Sequence, residues 1–151
     1  MFYVCKLEME QKPDKKFVDF IEQHHVLTLA TEEGGQPYCC SCYYAYDEDE
    51  NVFTLKINES TRHGKEAGNN PNVAAAIALE TNEIGKVQGL QITGKAVFSD
   101  RKKAVYLKKF PYAAAVKGCY LVIEPDFLKL TDNRFGFGKK LVWNKTKNEL
   151  I

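Results

Sequence analysis

The chain has no charge of either sign to spare: 21 Lys and Arg against 20 Asp and Glu leave a formal net charge of +1. A groove for a phosphodiester backbone needs a basic excess, so no nucleic-acid partner is expected. Also missing is any apolar run near the ~18 residues of a membrane-spanning helix, and no membrane partner is expected either. The apolar opening Phe2-Tyr3-Val4-Cys5 is too short for the core of a secretory leader. Cysteine is sparse: five residues, an odd number without framework spacing, read as reduced thiols in a cytoplasmic protein. There is no internal repeat, low-complexity tract or linker, and 151 residues suffice for one buried core, so 1–151 is read as a single domain. No Ser-His-Asp order and no paired-carboxylate signature supports hydrolytic chemistry. Gly136-Phe137-Gly138-Lys139-Lys140 is not a nucleotide-binding phosphate loop, because no glycine stands at the required place before it and no Ser or Thr follows.

What is there is a series of short strands. Lys12-Pro13-Asp14 opens a helix whose Phe17, Phe20, Ile21 and His24 share one face. His24 and His25 read as its end, since neighbours on a helix do not face each other and so make a poor metal pair. Residues 26–31 form a strand, and Glu32-Glu33-Gly34-Gly35 is a hairpin turn with glycines for positive φ. The next strand, 36–46, puts Tyr38, Cys40, Cys42, Tyr44 and Tyr46 on one side and Cys39, Ser41, Tyr43 and Ala45 on the other. With no polar face, both sides are expected to be covered, the second by a helix, a partner subunit or a flat ligand. Its cysteines read as small buried hydrophobes and not as metal ligands: alternation sends Cys39 away from Cys40 and Cys42, and no further ligand stands near in sequence.

Asp47-Glu48-Asp49-Glu50-Asn51 reads as a solvated acidic turn. Further strands are expected at 52–57, 72–79, 87–98, 118–124 with a continuation at 127–132, and a last short one reaching Trp143. Gly89 and Gly94 mark bends or bulges in the long strand. A helix over 101–110, capped by Ser99-Asp100, carries lysines that read as a solvated face. Hairpin order without βαβ units gives a mainly β (α+β) protein: an antiparallel barrel of six to seven strands with peripheral helices.

The stretch 56–71 is the one around which the others are organised. Ser60 or Thr61 offers an N-cap, and the helix that follows stops at Asn69-Asn70-Pro71. Arg62 and His63 occupy its first turn, where the macrodipole favours negative charge. Two cations there fit a bound anion, phosphate above all; the other reading is that Arg62 points into water.

Helix, hairpin with Gly35-Gln36-Pro37-Tyr38, strand ending near Phe53, Ser60-Thr61-Arg62-His63 ahead of Asn69-Asn70-Pro71, and the later Gly94-Lys95-Ala96 together resemble the pyridoxamine 5'-phosphate oxidase-like, FMN-binding split-barrel superfamily. The tail 131–140, Thr-Asp-Asn-Arg-Phe-Gly-Phe-Gly-Lys-Lys, with Thr61-Arg62-His63, is similar to the YhbP-like bacterial proteins. The resemblance spans nearly the whole chain and implies a Greek-key split β-barrel and a homodimer with FMN in clefts at its interface. It places Thr61, Arg62 and His63 on the FMN phosphate, His63 standing where the oxidases have lysine. It places Cys40, Ser41, Cys42 and Tyr43 around the flavin, and Cys40 stands where the oxidases have a phosphate-binding arginine. Lys56 or a tail lysine is the candidate substitute for that cation, and Lys139, Lys140 and Trp143 are the tail residues suspected of reaching a partner's flavin. For Trp143 the alternative is a tryptophan that packs the core.

Two functions follow from this resemblance. One is an FMN-dependent oxidoreductase whose small-molecule substrate the sequence does not name. No counterpart is found of the C-terminal arginine and histidine that hold pyridoxal phosphate in the oxidases, so pyridoxamine 5'-phosphate oxidase activity itself is not expected. The other is a non-catalytic module for flavin, haem or another phosphorylated ligand. An oligonucleotide-binding barrel, with Tyr38, Tyr44 and Tyr46 stacking on bases, lacks the charge for it.

Overall fold

The computed structural model describes residues 11–136 and 139–146. Asp14 caps helix α1 (Lys15–Glu22) by accepting from the Lys16 N–H at 2.8 Å, and Phe17, Val18, Phe20 and Ile21 are its buried face. The helix is two turns long, a turn shorter than the sequence pattern suggests, and His24 lies beyond it with Nδ1 2.7 Å from the Phe20 carbonyl. Strands β1 (Val26–Glu33) and β2 (Gln36–Asp47) form the expected hairpin, with Gly34 and Gly35 at φ 58° and 83° in the turn. Then come β3 (Val52–Ile57), helix α2 (Arg62–Asn69), β4 (Asn72–Ala78), β5 (Gln88–Phe98), helix α3 (Lys103–Lys109), a 3-10 turn at Pro111–Ala115, β6 (Cys119–Asp132) and β7 (Lys140–Asn144).

All pairings are antiparallel in the order β3-β2-β1-β4-β5-β6-β7, and β3 also pairs with β6. That second pairing closes six strands into a barrel. β4 returns across α2 to lie beside β1, the Greek-key step. The barrel interior holds Leu27, Leu29, Tyr44, Phe53, Leu55, Ile77, Leu90, Ile92, Leu121 and Ile123, supplied by every second residue of each strand. Gly94 sits at the register shift where β5 bulges against β6, and a Cβ there would run into the Glu124 carbonyl. Gly89, by contrast, pairs regularly with Ala78 and Thr131. A second, smaller cluster of Ala45, Tyr106, Phe110, Ala113 and Tyr120 lies outside the barrel, under α3.

Two expectations need correction here. The start of α3 is set at Lys102, without a side-chain cap, two residues beyond the Ser99-Asp100 position; Ser99 Oγ instead accepts from the Arg101 N–H at 3.2 Å. Neither the acidic turn nor the α3 lysines are simply solvated. Lys102 reaches Asp47 at 2.6 Å and Glu50 at 2.7 Å, Arg101 reaches Glu50 at 2.6 Å, and Lys109 donates to the carbonyls of His24 and Tyr44. Lys103 and Lys108 are exposed as expected.

Candidate functional site

The first turn of α2 is built by short-range hydrogen bonds. Thr61 Oγ accepts from the Gly64 N–H at 3.2 Å and donates to the Asn58 carbonyl at 2.6 Å, so this hydroxyl is the cap foreseen for it. Gly64 is required, since any Cβ would overlap the Asn58 carbonyl. Arg62 then projects from the helix with its side chain about half exposed. Its Nε donates to Glu66 Oε1 at 2.8 Å, and its guanidinium carbon lies 4.2 Å from the centroid of the Tyr38 ring. Glu66 is 3% exposed and accepts a second bond, 2.5 Å, from the Thr31 hydroxyl. Arg62 first, then Thr31, hold its carboxyl below the ordinary range in spite of burial. Arg62 is thus a cation fixed by a buried anion and an aromatic face.

His63 turns inward. It is half-buried, with Nε2 3.2 Å from Thr61 Oγ, and burial pushes its imidazole below the ordinary histidine range, towards the neutral form. Cys40 and Cys42, successive inner-face residues of β2, meet it there. The two sulfurs are 3.7 Å apart, and a ring nitrogen of His63 and both sulfurs lie within 4.8 Å of one another. The shared S–H lowers the Cys40 thiol; the same bond and then burial raise that of Cys42. Cys39 and Cys42 do stand at Cys-x-x-Cys spacing, but the strand separates them: Cys39 is exposed and Cys42 buried. The sequence elimination of a metal considered only near neighbours, and folding supplies a third donor from 21 residues downstream of Cys42.

The remaining candidates lie apart. Ser41 and Tyr43 are on the outer face of β2, where Tyr43 is 58% exposed and meets Phe110 edge-on at 5.6 Å. Lys56 belongs to the α3 side of β3: its Nζ donates to the Ala113 carbonyl at 2.5 Å and lies over the Tyr120 ring at 5.3 Å. Its ammonium is engaged there by the Ala113 carbonyl and the Tyr120 ring. Lys139 and Lys140 border a cavity of about 600 Å³ with Arg134 and Phe135, far along the chain from α2. Trp143 packs on the barrel core and donates Nε1–H to the Gln11 carbonyl at 2.6 Å, the core-packing alternative. Within one chain, therefore, only Cys40, Cys42, Thr61, Arg62 and His63 assemble. Sequence reasoning missed Tyr38, Glu66 and Thr31; the Arg62–Glu66 spacing of one helical turn was the available signal for the second.

The chain is similar to known proteins at three levels. The family model described as pyridoxamine 5'-phosphate oxidase matches residues 13–128. A UPF0306 protein of Photorhabdus laumondii is 34% identical over 131 residues, covering 83% of this chain and 92% of its own. Among solved structures, a heme-binding protein from Mycobacterium smegmatis superposes with a TM-score of 0.70 at 17% identity, over 83% of this chain but 55% of that one. A FAD-binding protein from Mesorhizobium loti superposes with 0.63 at 12% identity, over 77% and 91%. The latter two share the fold. The matched span includes the whole barrel up to the middle of β6 and the α2 site with it, and the chain belongs to the pyridoxamine 5'-phosphate oxidase family and to the UPF0306 proteins.

Proposed function

We propose that this protein binds FMN at the seam between two copies of the chain and serves as a flavin-dependent oxidoreductase. The observation that carries the reading is Arg62. A cation in the first turn of a helix opposes the macrodipole, yet this one is fixed there by Glu66 and Tyr38 with half its side chain open to solvent. Its terminal nitrogens, together with the N–H groups that begin any helix, suit a phosphate. His63 does not add a second charge, because burial favours its neutral ring. The phosphate would rest on Arg62 and the helix terminus. Ser41 and Tyr43, on the outer face of β2, would border the ring system at the seam; bound FMN would supply the hydride and electron transfer.

The test is a fluorescence titration with FMN and riboflavin in parallel. Wild type is expected to saturate with FMN and to prefer it over riboflavin. Arg62→Ala should weaken FMN ~10- to 100-fold, the worth of a charge-assisted pair, and leave riboflavin unchanged. Equal FMN affinity in both proteins would remove Arg62 from the phosphate. A second reading, haem binding, is favoured by the heme-binding neighbour. A Soret band on titration with haemin, in a protein that ignores FMN, would select it.

A further inference from the structure

We infer that Cys40, Cys42 and His63 form a binding site for one soft divalent metal ion, with zinc the chemical type, two thiolates and an imidazole as ligands and a fourth position open to an exchangeable ligand. The sulfur spacing is the first ground. Two thiolates on a tetrahedral zinc, with Zn–S bonds of about 2.3 Å, stand about 3.8 Å apart; the observed separation is 3.7 Å. The imidazole is the third donor, a ring nitrogen lying within 4.8 Å of both sulfurs. Both cysteines sit on one face of one strand and the histidine on the first turn of a capped helix, so all three are held by regular structure.

The surroundings fit the donor set. The Thr61 hydroxyl hydrogen goes to the Asn58 carbonyl, so its 3.2 Å contact with His63 is Nε2–H donating to Thr61 Oγ. That leaves a lone pair on Nδ1 and fixes the ring, as outer hydrogen bonds do for metal-ligating histidines. Cys42 is buried and Cys40 half-buried, which gives a dry base and a reachable rim. Binding would displace the proton the two sulfurs now share, so two thiols become two thiolates and two protons leave to solvent. The donors exclude hard cations: two sulfurs and a nitrogen suit zinc, copper(I) or cobalt(II), not magnesium or calcium. This site uses the inner face of β2, and its existence does not depend on flavin binding by Arg62.

The experiment is a cobalt(II) titration of the flavin-free protein, reduced with a non-thiol reagent. One cobalt per chain is expected, with a thiolate-to-cobalt charge-transfer band and tetrahedral d–d absorption, both abolished by one equivalent of zinc. Cys40→Ser, Cys42→Ser and His63→Ala should each weaken cobalt at least ~100-fold, while Cys39→Ser, on the outer face, should leave the titration as in wild type. Cys40 is only half-buried, so its variant keeps the test sound if Cys42→Ser folds poorly, which circular dichroism reports. No charge-transfer band in wild type, or a band that survives in Cys40→Ser and His63→Ala, overturns the site. Running both titrations on Arg62→Ala separates the two readings, since that variant should bind FMN more weakly and cobalt as in wild type.

Discussion

At the scale of single residues, buried polar atoms show where the packing has been set by something other than burial. Thr54 is fully buried on the face of β3 opposite Phe53 and Leu55, paired across the sheet with Ala45 and Val122. Among the described residues its Oγ is the buried side-chain oxygen with no hydrogen-bond partner. A hydroxyl in that state carries an uncompensated desolvation cost, and valine has its shape without the oxygen. Thr54→Val should therefore be as stable as wild type or more so, by about 1 kcal/mol, in a urea denaturation. A loss of that size instead would mean that the hydroxyl has a partner in solution. Glu66 is the opposite case, buried and ionised, but answered by both Arg62 and Thr31. Its pairing with Arg62 could have been read from one helical turn of sequence. That with Thr31, 35 residues away on β1, could not.

At the scale of elements, most boundaries were legible because local chemistry sets them. Asp14 and Thr61 cap their helices, Gly34 and Gly35 turn their hairpin, and Gly94 bulges β5. The misplaced start of α3 has a tertiary cause. Ser99-Asp100 is a good local cap, but Arg101 and Lys102 are drawn to Glu50 and Asp47, acids from a turn about 50 residues earlier. The helix begins only after those cations are anchored. Burial by itself raises the Asp47 carboxyl; the hydrogen bond and charge of Lys102, with the N–H groups of the turn, outweigh it and hold the carboxyl below its ordinary 3.8. A folded-state value below the unfolded one means that the unfolded chain binds more protons in that interval. The stabilisation is then present above pH ~4 and is lost as pH falls through the folded value. Lys102→Met removes it. The melting temperature of the variant should lie below that of wild type at pH 7, and the gap should narrow progressively as pH falls below about 4. A gap independent of pH would show that Lys102 matters through packing alone.

At the scale of the whole molecule, one barrel face is left uncovered by the described residues. The residues Ser41, Thr28, Ala76 and Gln91 form a single cross-strand row over β2, β1, β4 and β5, all four exposed. The adjacent rows bring Tyr43 opposite Val26, and Cys39, Ala30, Ala74 and Thr93. None is charged, although charged residues are 27% of the chain, and Val26 and Tyr43 are 42% and 58% exposed. A sheet face of small uncharged residues, bordered by Lys129 beside Gln91 and Asp126 beside Thr93, is a poor solvent boundary and a good surface for a second copy. The pattern of β2 led to the expectation of a cover on both faces; within the chain α3 covers only the Ala45 end of the outer one, and Cys39, Ser41 and Tyr43 are exposed. We propose that a partner chain packs here. Sedimentation of the wild type should give twice the 17.2 kDa chain mass. A lysine at the centre of the row, Thr28→Lys, would bury an unpaired charge in that interface and should give a monomer with an unchanged circular dichroism spectrum. It should weaken FMN as well, since the flavin is proposed to lie at the seam. A wild-type monomer that still binds FMN would place the whole flavin site within one chain. A Thr28→Lys dimer would move the interface to another face.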